Sequence, residues 1–180
     1  MKKTLNKGFT LIELLVVVAI IAILALIVLL ALNPVEMARR SRDSRRLSDL
    51  GTVRRAIDLA LADKQSLADT SGTVVINTAT DVTDFAGMNL DISKYLSVVA
   101  QDPIYDGGAG AGDNVQVVLN NCSAGSTTKG AMIYEFASDG DVYELRARLE
   151  SKDNCDAIKN DGNDDNYYEI GTDPGLNLIP

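Results

Sequence analysis

The most regular hydrophobic pattern in the chain is an apolar run near its start. Residues 14–32 are 19 consecutive apolar residues, and the run extends back to Phe9 with only Thr10 and Glu13 polar. About 20 apolar residues in a helix span the hydrocarbon core of a bilayer, so the pattern predicts a transmembrane helix over residues 9–34. A carboxylate in such a segment costs about 2–4 kcal/mol on insertion, so Glu13 requires a partner.

A second, amphipathic helix is expected over residues 35–64. Its apolar residues recur at spacings of three and four, the period of a helix that buries one face on a sheet. The arginines of residues 39–55 are expected to face outward. Pro34 lacks an amide hydrogen, and its ring presses on the carbonyl of Leu30, so it predicts a kink between the two segments. The apolar stripe consists of Leu47, Leu50, Val53, Ile57, Ala60 and Leu61.

Alternating segments later in the chain predict an antiparallel sheet. Residues 132–136 and 142–149 flank an Asp139-Gly140 pair, which is a strong hairpin signal. Residues 115–119 are expected to form a third strand. In the second strand we expect Tyr143, Leu145, Ala147 and Leu149 to face inward, and Glu144, Arg146 and Arg148 to face outward.

The order of these elements predicts an α+β fold. A long N-terminal α-helix packs on a small antiparallel sheet, and the sheet and a C-terminal loop form a globular head at residues 65–180. A variable region at residues 65–113, with a glycine-rich stretch at 107–112, connects helix and sheet.

Composition argues against an enzyme and against a nucleic-acid-binding head. The chain of 180 residues has no His, the usual general base and commonest metal ligand, and none of the common nucleotide-, zinc- or serine-hydrolase motifs. Residues 1–8 carry +3 and residues 33–55 carry +4, whereas residues 56–180 hold 7 basic and 21 acidic residues. A head with this negative charge is not expected to contact nucleic acid.

The residues around Glu13 carry a resemblance. Lys7-Gly8-Phe9-Thr10-Leu11-Ile12-Glu13-Leu14 resembles the processing signature of type IV prepilins and type II secretion pseudopilins. The resemblance implies a leader of residues 1–8, cleavage after Gly8 by a prepilin peptidase, methylation of the new N-terminal Phe9, and a pilin fold. Pro34 resembles the proline that these proteins commonly have in the long helix. A plain single-pass anchor and a secretory signal peptide are the alternatives.

Cleavage would give Glu13 a chemical role. It creates a cationic amine at Phe9, four residues from the carboxylate, and a helix does not readily fold its own terminus back onto that side chain. A neighbouring subunit can bring its amine there, so that both charges are neutralised and the register of a helical homopolymer is set. Alternatively, Glu13 lies at the level of the lipid headgroups. The expected partners are other copies of the chain, prepilin peptidase, an inner-membrane assembly platform and membrane lipid.

The charges that flank the apolar run conflict with this picture. Five arginines of residues 39–46 outnumber the three lysines before the run, so the positive-inside rule places the head in the cytoplasm. The cysteines and the resemblance favour the opposite orientation. We therefore expect a single-pass cytoplasmic-membrane precursor with its head outside, and later an extracellular or envelope filament. The arginines of residues 39–55 are expected to have one of two partners. They contact acidic heads of other subunits in the filament, or they bind anionic lipid while the subunit waits in the membrane.

The head contains two further candidate features. Cys122 and Cys155 are expected to form a disulfide in an exported domain, the alternative being two buried thiols. Asp161, Asn163 and Asp165 have the D-x-N-x-D spacing of calcium loops, but the glycine and the closing glutamate of an EF-hand are missing. No cofactor is required. Calcium is a candidate, because major pseudopilins bind it in a C-terminal loop, and a solvated acidic turn is the alternative.

These observations predict a structural subunit of a type IV pilus-like filament. One alternative is a major pseudopilin that drives protein secretion, and the Asp102-Pro103 pair before a glycine-rich loop resembles that class. The other alternative is an anchored binding module that does not polymerise.

Overall fold

The computed structural model describes residues 8–70, 72–76, 80–104, 115–120 and 126–179. The chain divides into two compact units, Met1–Ala38 and Arg39–Pro180, each of which is described by itself. A long N-terminal helical region and a small antiparallel sheet confirm the predicted α+β class.

The first unit is built on helix α1, Leu11–Leu32. Residues Leu11–Leu29 form a helix long and apolar enough, by length and composition, to cross a membrane. Among the described residues, none of these side chains is buried.

The break between the helices lies at Asn33, which has a left-handed φ of 40°. Helix α2, Pro34–Ala62, starts at the next residue. The carbonyl oxygen of Asn33 accepts hydrogen bonds from the amides of Glu36 (3.0 Å) and Met37 (3.2 Å). We predicted that Pro34 would kink a helix that continues through it. Instead Pro34 occupies the first position of α2, where its missing amide hydrogen costs nothing.

In the second unit, α2 buries most of the predicted stripe, whereas Leu47 and Leu61 are half-buried. Leu50, Val53, Ile57 and Ala60 are at most 1% exposed. The helix ends at Ala62, close to the predicted end, and Lys64 has a positive φ of 67° just beyond it. Burial of such a stripe stabilises the fold by about 25 cal/mol per Å² of apolar surface.

The stripe belongs to one hydrophobic core with a four-stranded antiparallel sheet. The predicted hairpin is present as β4 (Tyr134–Ser138) and β5 (Tyr143–Ala147), with Phe136 opposite Leu145. Strands β1 (Val74–Ile76) and β6 (Tyr168–Gly171) form the edges and were not predicted. The loop at residues 80–104 adds Phe85, which meets Phe136 edge to face at 5.2 Å.

The third predicted strand lies in a separate sheet. Within the described residues, β2 (Val115–Asn120) pairs with β3 (Ser126–Ala131) in a two-stranded sheet, and the sequence did not indicate β3. The glycine-rich stretch at 107–112 lies outside the described residues.

The inward positions predicted for the strand at residues 142–149 are confirmed, since Tyr143, Leu145, Ala147 and Leu149 are all buried. The exposure predicted for the opposite face is wrong. Glu144 is fully buried and Arg146 is 6% exposed, although both were expected to face solvent. The cause is the C-terminal segment, whose amides at Leu178 (2.9 Å) and Ile179 (3.1 Å) donate to Oε2 of Glu144. Both faces of β5 are therefore covered.

Candidate functional site

The first candidate site is the start of α1, where Thr10 and Glu13 form a reciprocal capping box. Oε2 of Glu13 accepts the backbone N–H of Thr10 at 2.8 Å and its hydroxyl at 2.7 Å. The amide of Glu13 donates in turn to the hydroxyl oxygen of Thr10 at 3.3 Å. Thr10 lies just before the first helical residue, so its groups reach the Glu13 carboxylate within the same chain. The expectation that a helix does not readily fold its own Phe9 amine onto Glu13 concerns the cleaved chain and stays a prediction.

The bond expected to be cleaved lies outside the helix. Gly8, Phe9 and Thr10 have no regular secondary structure and are exposed, and Phe9 is 87% exposed. A Cβ atom added at Gly8 would meet nothing within 4 Å, so the fold itself does not require glycine there. An exposed, irregular segment is the kind of backbone that proteases reach most readily.

The second feature is a buried ionic cluster in the head, formed by Arg46 with Asp43, Asp102 and Glu150. The Arg46 side chain is fully buried, and its nitrogens lie 2.7 Å from Asp43, 2.6 Å from Asp102 and 2.7 Å from Glu150. Arg42 adds a hydrogen bond from Nε to Glu150 at 2.9 Å. Such a cluster fixes the geometry of the elements it joins, since each charge is costly to leave unpaired.

Asp43 links α2 to the segment that follows β5. Its carboxylate accepts the backbone amides of Glu150 (3.0 Å) and Ser151 (2.8 Å) and the side-chain amide of Asn154 (2.8 Å). Burial raises the pKa of Asp43 despite these bonds. Burial also acts to raise the pKa of Glu150, but hydrogen bonds from Arg42 and Arg46 outweigh it, so that pKa is lowered.

The ionic cluster corrects the expectation that the arginines of residues 39–55 face outward. Arg46 is fully buried and the Arg42 side chain is 32% exposed. The more exposed arginines also have partners in the same chain, which weakens the case that they join subunits. These pairs are Arg40 with Asp153, Arg45 with Asp49 and Arg54 with Asp58.

The third candidate site, the acidic C-terminal turn, connects the predicted Asp161 with Glu169, which was not among the predicted ligands. Oδ2 of Asp161 accepts the amide of Glu169 in β6 at 2.9 Å, and Oε2 of Glu169 accepts the amide of Asp164 at 3.2 Å. Asn163 is exposed, and Asp165 is half-buried. Across the described part of the chain, no group of three or more His, Cys, Asp or Glu side chains is placed to hold a metal ion.

The turn nevertheless contains buried carboxylate oxygens without hydrogen-bond partners. They are Oδ1 of Asp161 and Oε1 of Glu169, and Oε1 of Glu144 on β5 is a third. Burial raises the pKa of Asp161 to about 6 and that of Glu169 to about 7. Unpartnered buried oxygens are costly, so the turn favours either a proton or a cation.

Of the two cysteines in the predicted disulfide, one lies among the described residues. Cys155 starts the short helix α3 (Cys155–Ile158) and packs beside the buried Leu149 and Ile158. Cys122 lies outside the described residues. The Cys122–Cys155 bond therefore stays a prediction.

Sequence reasoning missed Thr10 and the acidic partners of Arg46. Thr10-x-x-Glu13 has the spacing of a capping box and could have been identified, although its apolar surroundings concealed it. Asp43 and Arg46 stand three residues apart on one helix face, which is a weak signal. No local pattern connects Arg46 with Asp102 or Glu150.

Comparison with known proteins bears on the N-terminal site. No curated protein and no solved structure matches the chain. Residues 3–29 match the family model described as the prokaryotic N-terminal methylation motif, which spans Gly8, Phe9, Thr10 and Glu13. The chain thus carries the signature of type IV pilins and pseudopilins on an exposed apolar helix of membrane length.

Proposed function

We propose that the protein is a structural subunit of a type IV pilus-like filament. The observation that carries the proposal is the methylation motif at the start of an apolar helix whose apolar side chains are not buried in the part of the chain that the structure describes. Exposing apolar surface to water costs about 25 cal/mol per Å². The helix therefore needs lipid around it before assembly and other copies of the helix afterwards.

Processing is the first step of the proposed function. Prepilin peptidase cleaves the exposed bond between Gly8 and Phe9, removes residues 1–8, and methylates the new amine. The precursor is held in the cytoplasmic membrane by α1 with its head outside. An inner-membrane assembly platform then adds it to the filament.

Assembly is the second step, and Glu13 sets its register. The Phe9 amine of one subunit pairs with the Glu13 carboxylate of another, which neutralises both charges inside the bundle of apolar helices. The two contacting surfaces differ, so the contact repeats from subunit to subunit. Because each subunit is also shifted along the axis, the repeat builds a helical filament and not a closed ring.

The test compares Glu13→Ala with Asp156→Ala, which removes an exposed carboxylate from the head. Both variants should be cleaved, since neither residue is part of the scissile bond, and intact mass reports this. Electron microscopy of sheared surface material should show fibres for wild type and Asp156→Ala but none for Glu13→Ala. Wild-type fibre yield from Glu13→Ala would contradict the proposal.

A secretion pseudopilus is the second candidate, favoured by the unpartnered carboxylate oxygens of the acidic turn. Major pseudopilins bind calcium in a C-terminal loop, and Asp161 and Glu169 each offer one buried oxygen to a hard cation. The remaining ligands would be backbone carbonyl oxygens or water. Two results together would favour this candidate over a pilus. Deletion of the gene abolishes export of a secreted protein, and wild-type cells have no long surface fibres.

Calcium binding itself is tested on the processed protein in detergent. Calcium should raise the melting temperature by linkage to the folded state. The Asp161→Asn variant should lose this shift, whereas Asp156→Asn should keep it. Equal shifts in both variants, or none in the wild type, would identify the cluster as a solvated acidic turn.

A further inference from the structure

Arg148 differs from the arginines of the ionic cluster because its partner is aromatic and not acidic. Its Cζ lies 4.3 Å from the centroid of the Tyr167 ring, and its Nη2 donates a hydrogen bond to the Tyr167 hydroxyl at 2.6 Å. Within the part of the chain that the structure describes, no carboxylate forms an ion pair with Arg148. The neighbouring Arg146 lies over the same ring at 4.0 Å but is neutralised by Glu135, whose Oε2 lies 2.7 Å from Nε of Arg146.

The contacts with Tyr167 prepare the Arg148 guanidinium for a negative partner. The ring and the hydroxyl fix its orientation, so little side-chain entropy remains to be lost on binding. Arg148 is half-buried, which makes an unpaired charge less favourable there than in open water. A guanidinium has five N–H donors, and the Tyr167 hydroxyl takes one of them. The remaining donors match the two oxygens of a carboxylate.

An unpaired carboxylate lies at the other end of the same strands. Arg148 directly follows β5, whereas Asp141 lies in the turn that joins β4 to β5. At about 3.3 Å per residue the two positions are on the order of 20 Å apart, so they do not meet within one head. Asp141 is exposed, and among the described residues its carboxylate has no hydrogen-bond or ion-pair partner. The Asp139 carboxylate, by contrast, accepts the amides of Asp141 and Val142 at 3.0 Å.

Opposite charges at opposite ends of one hairpin favour a contact between two copies of the chain. The contact uses two different surfaces, so it can repeat from each subunit to the next one along a filament. Residues 56–180 hold 21 acidic and 7 basic residues, so the field of the head repels free anions. A carboxylate on a neighbouring subunit is held close at high effective concentration, which offsets that repulsion.

We propose that Arg148 is a contact between subunits of the filament and binds the Asp141 carboxylate of the next subunit. The inference rests on the proposed filament function. It names a contact between heads, which is separate from the pairing of the Phe9 amine with Glu13.

The experiment exchanges the two charges in cells that express one variant chain at a time. Arg148→Glu and Asp141→Arg each place like charges opposite each other, whereas the double variant restores an opposite pair. Arg148→Glu with Asp156→Arg is the matched control, because it makes the same charge changes but puts the new arginine at an exposed position in α3. Intact mass reports processing, melting of the processed subunit in detergent reports folding, and the amount of sheared fibre reports assembly.

Both single variants should be processed normally and should yield roughly tenfold less fibre than wild type, since like charges across an interface oppose association. The double variant with exchanged charges should recover most of the wild-type yield, and the control pair should not. Asp141→Arg changes an exposed turn residue, so it tests the contact by itself if Arg148→Glu lowers the melting temperature through the lost Tyr167 contacts.

Three results would overturn the inference while wild-type fibres, and with them the proposed function, remain. One is a wild-type fibre yield from Asp141→Arg. Another is a loss in Arg148→Glu, with a wild-type melting temperature, that Asp141→Arg does not reverse. The third is a wild-type yield from both single variants with a sulfate-dependent rise in melting temperature that Arg148→Glu lacks, which would assign Arg148 to free anions. Absence of fibres from the wild-type chain itself would reject the proposed function and, with it, the inference.

Discussion

Arg46 and Asp102 form a two-point ion pair in which both side chains are buried. Nε of Arg46 donates to Oδ2 of Asp102 at 2.6 Å, and Nη2 donates to Oδ1 at 3.1 Å. The pair joins α2 to the end of the loop at residues 80–104, and Glu150 on the same guanidinium joins both to the segment after β5. Three parts of the head therefore meet on one side chain.

Replacing Arg46 should damage the head severely. Arg46→Met removes the only fully buried cation in the ionic cluster and leaves Asp43, Asp102 and Glu150 with excess negative charge. We expect the free energy of unfolding to fall by about 3–5 kcal/mol. Near-ultraviolet circular dichroism of the tyrosines during denaturant unfolding of the processed protein measures this.

Arg45→Met is the matched control. The Arg45 side chain is 62% exposed and lies 3.7 Å from Asp49, so its loss should cost less than about 1 kcal/mol. Similar losses in the two variants would contradict the structural role assigned to the buried pair.

The stability of the head should fall in acid because of Glu150. Its pKa in the folded state is lowered below the ordinary 4.5, so the unfolded state binds more protons as the pH falls below that value. The stabilisation is thus present above pH 4.5 and is lost as the pH falls through the folded pKa, with a slope of up to about 1.4 kcal/mol per pH unit. The raised pKa of Asp43 acts in the opposite direction.

Melting temperatures between pH 3 and 6 test this. Glu150→Gln should be less stable than wild type at pH 6 but should show a shallower loss on acidification. Asp156→Asn, at an exposed position, should follow the wild-type slope. A slope in Glu150→Gln as steep as in wild type would assign the acid sensitivity to other carboxylates.

Substitution of Gly8 should block processing without disturbing the fold. A side chain at Gly8 meets no neighbouring atom in the folded chain, so any defect of Gly8→Val reflects the peptidase and not stability. Intact mass should show full-length precursor for Gly8→Val. For wild type it should show loss of residues 1–8 and one added methyl group. Uncleaved chains within assembled wild-type fibres would contradict this prediction.

Oxidation should link Cys122 to Cys155. The oxidised protein should be two hydrogen atoms lighter than the reduced one, and reduction should lower its stability by about 3–4 kcal/mol for a loop of about 33 residues. The same reductant should not change the stability of Cys122→Ala. Reactivity of both thiols with an alkylating agent in the unreduced folded protein would show that the bond is absent.

The sequence by itself determined those features that depend on neighbouring residues. The unbroken run at residues 14–32 and the three-four spacing of Leu50, Val53 and Ile57 specify the two helices, because helix periodicity is a local property. The Asp139-Gly140 turn likewise specified the β4–β5 hairpin. The methylation motif is contiguous, so Gly8, Phe9 and Glu13 could be identified without any fold.

Only the tertiary structure decided which polar residues are buried. Glu144 alternates along β5 as a solvent-facing residue would, yet it is buried because the C-terminal segment, 34 residues later, covers its face. Arg46 looks like one of several surface arginines, but its partners lie 56 and 104 residues away in sequence. Periodicity shows which face of a helix or strand is apolar, because it depends only on neighbouring residues. It does not show which distant segment packs against the other face, because that contact forms only when the whole chain folds.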